Sequence, residues 1–209
     1  MDIKCVVVGS LEENCYILTH NGETAVIDPG AQADVIINEI KKGNSKIKMI
    51  LLTHGHFDHI GGVSALARYS GAPVYIHNQD ADMLRDNSKN LSFMTMEEIE
   101  PYSGEIPLLG GEVLTLGGEK IKVHHTPGHS KGCVCYEFEE NLFGGDLLFK
   151  GSIGKFDRTE LHTHMNSLKY VMDNFGDCVK VYPGHGEATT IGEERVSNPY
   201  ILYHIRTDN

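Results

Sequence analysis

The stretch that most restricts this 209-residue chain is Thr53-His54-Gly55-His56-Phe57-Asp58-His59-Ile60-Gly61-Gly62. It follows the apolar run Met49-Ile50-Leu51-Leu52, which reads as a buried strand, and leads into Gly61–Tyr69, which reads as a helix ending near Gly71. A strand-to-helix turn changes backbone direction between successive residues, so four metal-competent side chains within six positions can point the same way. With 12 histidines in the chain, His-x-His-x-Asp-His arises by chance in roughly two such chains per thousand. The turn is therefore expected to be a metal-binding nest, around which the other strands must bring their ends.

One turn does not fill two metal coordination shells, so further ligands are expected at other strand ends on the same rim. His129 follows Pro127-Gly128 after a strand, Asp146 follows Gly144-Gly145, and His185 follows Pro183-Gly184 after the last strand. Glycines beside them let the backbone approach a crowded site. In the first half, Lys4–Val8, Asn14–Thr19 and Glu23–Asp28 read as short strands, Ala33–Lys42 as a helix, and Lys48–Thr53 and Pro73–His77 as further strands. Residues 86–107 read as a long connection, partly helical at Thr95–Ile99. The second half repeats the plan. Strands are expected over Glu112–Leu116, Lys120–Thr126, Cys133–Glu139 and Leu142–Leu148, then a helix over Leu161–Phe175 and a strand over Cys178–Tyr182. Two similar halves imply an α/β fold, an αββα sandwich of two mixed β-sheets flanked by helices, in a single domain over residues 1–209.

Composition narrows the partners. Lys+Arg 18 against Asp+Glu 29 gives a net charge of −11, which argues against nucleic acid and anionic lipid as partners. The apolar runs are far below the ~20 residues of a membrane span. Met1-Asp2-Ile3-Lys4-Cys5 lacks the basic region, apolar stretch and cleavage site of a signal peptide, so a cytoplasmic protein is expected. Its cysteines, Cys5, Cys15, Cys133, Cys135 and Cys178, are then read as reduced core thiols.

His54, His56, Asp58, His59, His129, Asp146 and His185, in that order, resemble the ligand set of the metallo-β-lactamase superfamily. Within it the chain is similar to glyoxalase II-type hydrolases, through Asn14-Cys15-Tyr16, Asp28-Pro29-Gly30, Thr126-Pro127-Gly128-His129-Ser130, Gly145-Asp146-Leu147-Leu148-Phe149 and Gly154-Lys155-Phe156. The segment from Thr190 to Tyr200 is similar to a short bacterial branch of that group. The resemblance implies one divalent metal on His54, His56 and His129, a second on Asp58, His59 and His185, and Asp146 bridging both. Zinc is the first choice, with iron and manganese as alternatives. It also implies hydrolysis of a small acyl-thioester of the hydroxyacylglutathione type.

The chemistry has an independent basis. Two metals sharing a carboxylate and a water lower that water's pKa toward neutrality and hold it as hydroxide, a nucleophile that needs no Ser or Cys. A thiolate leaving group, with a pKa near ~8.5, needs little protonation. Asp58 is expected to be catalytic, binding metal and orienting the hydroxide. The resemblance is incomplete at the glutathione end. The helical extension that holds glutathione in true glyoxalase II has no counterpart before Asn209, and the family's tyrosine two residues after the last ligand is Glu187 here. Lys155 is left as the substrate-binding cation. The common zinc β-lactamase form has cysteine where this chain has Asp146. Alternative readings on the same fold are a mononuclear iron persulfide dioxygenase and a lactonase; a metal-stabilised binding protein would need only four closed ligands. The oligomeric state stays open.

Other residues carry weaker expectations. Asp28 either hydrogen-bonds a ligand imidazole or stabilises its Asp-Pro-Gly turn. His124 and His125 lie on opposite faces of one strand and so have structural roles. His162 and His164 are expected in a solvated first helical turn. Phe93, Met94 and Met96 either line the substrate cleft or pack under their loop.

Overall fold

A computed structural model describes residues 1–43, 45–95 and 97–204. Strands β1 (Asp2–Val8), β2 (Glu13–His20) and β3 (Glu23–Ile27) form an antiparallel meander. Helix α1 (Ala33–Lys42) crosses to β4 (Lys46–Leu51), and α2 (Phe57–Ile60) and α3 (Val63–Ser70) lead to β5 (Val74–His77). β4, β5 and β6 (Ile106–Leu108) add in parallel to β3, giving the sheet order β1-β2-β3-β4-β5-β6. A second meander, β7 (Val113–Leu116), β8 (Glu119–His125), β9 (Val134–Phe138) and β10 (Asn141–Gly145), starts the other sheet. After the small hairpin β11 (Leu148–Phe149) and β12 (Ser152–Ile153), helix α4 (Leu161–Asn174) carries the chain to β13 (Lys180–Pro183), parallel to β10. β14 (Thr189–Thr190), α5 (Ile191–Ser197) and α6 (Pro199–His204) follow, and the second sheet runs β14-β13-β10-β9-β8-β7.

The two-residue period of a strand divides the core into three layers. Along β2, Cys15 and Ile17 point toward α1 and α3, where Ile36, Ile40, Val63 and Leu66 are buried, while Tyr16 and Leu18 point between the sheets. The central layer joins Met49 and Leu51 of β4 to Ile121, Val123, Tyr136, Phe138 and Phe143. On the far side, Leu142 and Val181 meet Leu168, Val171 and Met172 of α4 and Ile191 and Ile201 of the last two helices. The αββα sandwich of two mixed sheets is thus the observed architecture.

Three local expectations fail. Met96 lies outside the described residues, and the rest of Thr95–Ile99 is not helical. The three-residue strand β6, which overlaps the end of the expected long connection over 86–107, and the two-residue strands β11, β12 and β14 are too short to show a period. Cys15, Cys133 and Cys135 are buried free thiols, but Cys5 and Cys178 are exposed. Among the described residues no helix is long and apolar enough to cross a membrane.

Candidate metal centre

β8 and β10 flank β9 antiparallel and β13 is parallel to β10, so all three point the same way. The residues beyond their ends, His129, Asp146 and His185, come together with the turn after β4, which carries His54, His56, Asp58 and His59. The two sheets are stitched at this rim. Tyr136 Oη donates to Leu52 O at 2.8 Å, Tyr16 Oη to Pro183 O at 2.6 Å, and Val134 N to Thr53 O at 2.9 Å.

Three groups of donor atoms result: His54, His56 and His129; Asp58, His59 and His185; and, behind them, Asp28 with His54 and His59, which shares a ring with each of the first two. In the first, His129 Nε2 lies 2.8 Å from His56 Nδ1 and 3.2 Å from His54 Nε2. In the second, Asp58 Oδ2 lies 3.2 Å from His185 Nε2 and 3.8 Å from His59 Nε2. Asp146 stands between them, with Oδ2 3.5 Å from His129 Nε2 and Oδ1 3.4 Å from His59 Nε2. Gly184 makes the crowding possible: a Cβ there would lie 2.3 Å from Asp146 Oδ1 and 2.7 Å from His59 Cε1.

These atoms fit divalent cations. Metal–nitrogen bonds of ~2.0–2.1 Å put neighbouring ligands ~2.9–3.4 Å apart, close to the observed imidazole spacings. His59 Nε2 and Asp146 Oδ1 are buried and make no hydrogen bond, an unfavourable state that a cation would relieve. Four of the five imidazoles have their other nitrogen occupied. His54 Nδ1 meets Thr53 Oγ1 at 3.1 Å, His59 Nδ1 meets Asp28 Oδ2 at 3.0 Å, His129 Nδ1 meets the Lys155 carbonyl, and His185 Nδ1 meets Leu11 O at 3.0 Å. Each partner accepts a hydrogen bond from Nδ1, so that Nε2 faces the centre and would supply the lone pair to a bound cation.

The electrostatics favour neutral rings at His54 and His56 and, without metal, favour the protonated ring at His59 and His185. Burial, then the neighbouring imidazoles, holds His54 well below the usual histidine range and takes His56 down to about 3, so both are neutral ligands at pH 7. Burial disfavours the Asp146 carboxylate, but His59, His129 and His185 outweigh it and hold the group well below the usual range. Asp58 is lowered against burial by its bond to His185. Burial also opposes charge on His59, yet Asp146 and Asp28 keep its pKa well above the ordinary value. This cationic ring is the proton's answer to a site with excess negative charge.

The surroundings resolve several open readings. Asp28, with φ +49°, accepts from Thr53 N at 2.7 Å, from Thr53 Oγ1 and from His59 Nδ1, so it both secures its turn and orients an imidazole. Lys155 presents its carbonyl to His129, and its side chain is exposed. His124 bonds Glu137 and Tyr170, and His125 stacks on His77, so neither joins the donor groups. His162 is exposed, as expected, but His164 is not: it is fully buried, because α4 packs this face against the Pro127–Gly128 turn. Phe93 and Met94 are exposed rather than packed under their loop. Glu187 pairs with Lys150 at 2.7 Å on the surface.

Several supporting residues escaped sequence reasoning. Asn14 Nδ2 donates to Pro183 O at 3.0 Å and Gly186 O at 2.9 Å, clamping the loop that carries His185. Glu13, fully buried with both carboxyl oxygens unpartnered, lies 3.8 Å from His59 Nδ1; burial above all pushes its pKa well up. Thr53 connects Asp28 to His54. Asn14 stood in the sequence only as part of a resemblance, and Glu13 and Thr53 carried no spacing signal, because their partners come from distant strands.

The metallo-beta-lactamase superfamily model matches residues 8–191, and the chain belongs to this superfamily of metallo-hydrolases. It is 30% identical to hydroxyacylglutathione hydrolase GloC of Haemophilus influenzae, over 96% of this chain and 98% of that protein. Among solved structures, it is similar to BLEG-1 B3 metallo-beta-lactamase, with a TM-score of 0.89 and 35% identity over 96% of this chain and 99% of that one. It is also similar to TTHA1623 in a di-iron-bound form, with a TM-score of 0.82 and 32% identity over 94% and 99% of the two chains.

Proposed function

We propose that the protein is a binuclear metal-dependent hydrolase of small acyl-thioesters, of the hydroxyacylglutathione hydrolase type. The observation that carries the binuclear reading is Asp146, whose two oxygens face different donor groups at 3.4 and 3.5 Å. Divalent cations, when bound, supply Lewis acidity and a water acidified toward neutral pH. His54, His56 and His129 hold one ion and Asp58, His59 and His185 the other. The Nδ1 partners of four of these imidazoles keep them aimed without metal, so little reorganisation accompanies loading. Asp58 orients the attacking water. With only nitrogen and oxygen donors the set suits zinc, iron or manganese, and zinc is proposed first.

The thioester assignment draws on the likeness to GloC and on the leaving group. A thiolate departs without a strong general acid, and no side chain of the donor groups is both protonated and free of a ligand role. Lys155 is the cation proposed to meet an anionic thiol part, and the substrate is proposed to be a small molecule met in the cytoplasm.

Metal analysis of the purified protein alongside thioester, lactone, β-lactam and persulfide assays tests this reading. Two metals per chain with thioester turnover exceeding the others is the expected result. One iron per chain with oxygen consumption on a persulfide would replace it by the dioxygenase, and preferential lactone or β-lactam turnover would reassign the substrate.

A further inference from the structure

Asp80 lies in the turn after β5, is 1% exposed, and touches none of the seven donor residues through its carboxylate. Its oxygens instead join two loops from opposite sheets. Oδ2 accepts from Gly55 N at 3.2 Å and from Ser130 Oγ, while Oδ1 accepts from Gly132 N at 2.8 Å. Gly55 separates His54 from His56, and Ser130 follows His129. The carboxylate is thus tied to the backbone of both loops that bear the three-histidine group. Its approach is built in, since a Cβ on Gly132 would fall 2.7 Å from Asp80 Cγ. Asp58, His59 and His185 have no bond to it among the described residues.

Resting on the metal reading above, we propose that Asp80 is a positioning residue for the three-histidine metal alone. The two loops leave different sheets, and the spacing of His56 and His129, 2.8 Å between ring nitrogens, depends on how the loops are joined. They also share the bond from Val134 N to Thr53 O, and Asp80 adds a second tie between them at Gly55 and Gly132. Removing its carboxylate strands two buried backbone N–H groups on the two loops, which then move apart to find other acceptors. Asp80→Asn keeps the size but turns an NH2 group toward at least one of these donors. Ser130→Ala deletes the hydroxyl's contacts with Asp80 and with Cys133 Sγ and leaves both backbone bonds.

Zinc titration against a chromophoric chelator tests the proposal on the full chain. His129→Ala first identifies which binding step belongs to the three-histidine group. Asp80→Ala is expected to weaken that same step about tenfold or more, with the other step within about threefold, and Asp80→Asn and Ser130→Ala are expected to fall between it and the parent. Parallel weakening of both steps, or no change in either, would make Asp80 a general prop of the fold and overturn the inference. If Asp80→Ala does not fold, the step selectivity of Asp80→Asn and Ser130→Ala decides. Should His129→Ala itself lose no step, the metal reading fails; a lost step there with intact binding in the Asp80 variants defeats the positioning role alone.

Discussion

Lys155 serves the site through its carbonyl, which a substitution leaves in place, whereas its exposed side chain is free to meet substrate. Lys155→Ala is therefore expected to raise KM at most about fivefold for thioesters whose thiol part carries a carboxylate, because a solvent-exposed ion pair contributes little. Neutral thioesters and kcat should be unaffected, since the contact is made equally in ground and transition states; kinetics on a charged and a neutral substrate check this. Asp58 differs in that its side chain is the contribution. Asp58→Ala is expected to lower turnover at saturating metal by about 100-fold or more while the metal-free protein melts within about 3 °C of the parent. Initial rates and calorimetry measure both, and turnover within about threefold of the parent would remove Asp58 from the catalytic role.

Helix α4 introduces a pH dependence. Burial, helped by the charge of His129, takes His164 down to about 4, and its ring stacks on Phe156 with centroids 5.1 Å apart. In the unfolded chain the same ring takes up its proton near pH ~6.5. As pH falls below that value the unfolded state is protonated first, so stability present above pH 6.5 drains away until the folded ring also protonates near 4. The loss from this one group is on the order of 3 kcal/mol. His164→Phe, which keeps the stack, is expected to flatten the stability profile between these pH values in denaturant titrations, and an unchanged slope would show that other groups dominate. At α5 the buried Glu194 accepts from Gly151 N at 2.9 Å, Thr189 Oγ1 at 2.7 Å and Asn198 Nδ2 at 2.8 Å, tying the β11–β12 hairpin to the helix. Glu194→Ala leaves Gly151 N unpaired and takes one of two acceptors from Thr189 Oγ1 and from Asn198 Nδ2, which should cost about 1–3 kcal/mol, or roughly 3–10 °C of melting temperature for a chain of this size.

Across the whole molecule, the donors come from both sheets, so bound metal cross-links the halves of the sandwich. An ion that binds only the folded state at a thousandfold excess over its Kd adds ~4 kcal/mol. Complete chelation is then expected to lower the melting temperature by at least about 8 °C; calorimetry with and without chelator measures it, and an unchanged melt would show that metal is not part of the folded state. The fold and the donors were largely legible in the chain. Long strands and helices bury one face, so their periods appear in the sequence, as in Ala33–Lys42, and a His-x-His-x-Asp-His turn compresses four donors into one local signal. Strands of two or three residues show no period, and the burial of His164 depends on a turn packed against α4 from elsewhere in the chain. Sequence alone named the candidate donor side chains and the paired sheets expected to bring them together. Only the tertiary structure decided which nitrogen of each ring faces the centre, that Asp146 divides its oxygens between two donor groups, and that Asp28, Glu13, Asn14 and Asp80 stand behind them. Those contacts join residues tens of positions apart through a few isolated hydrogen bonds and close approaches, which leave no periodic trace in the chain.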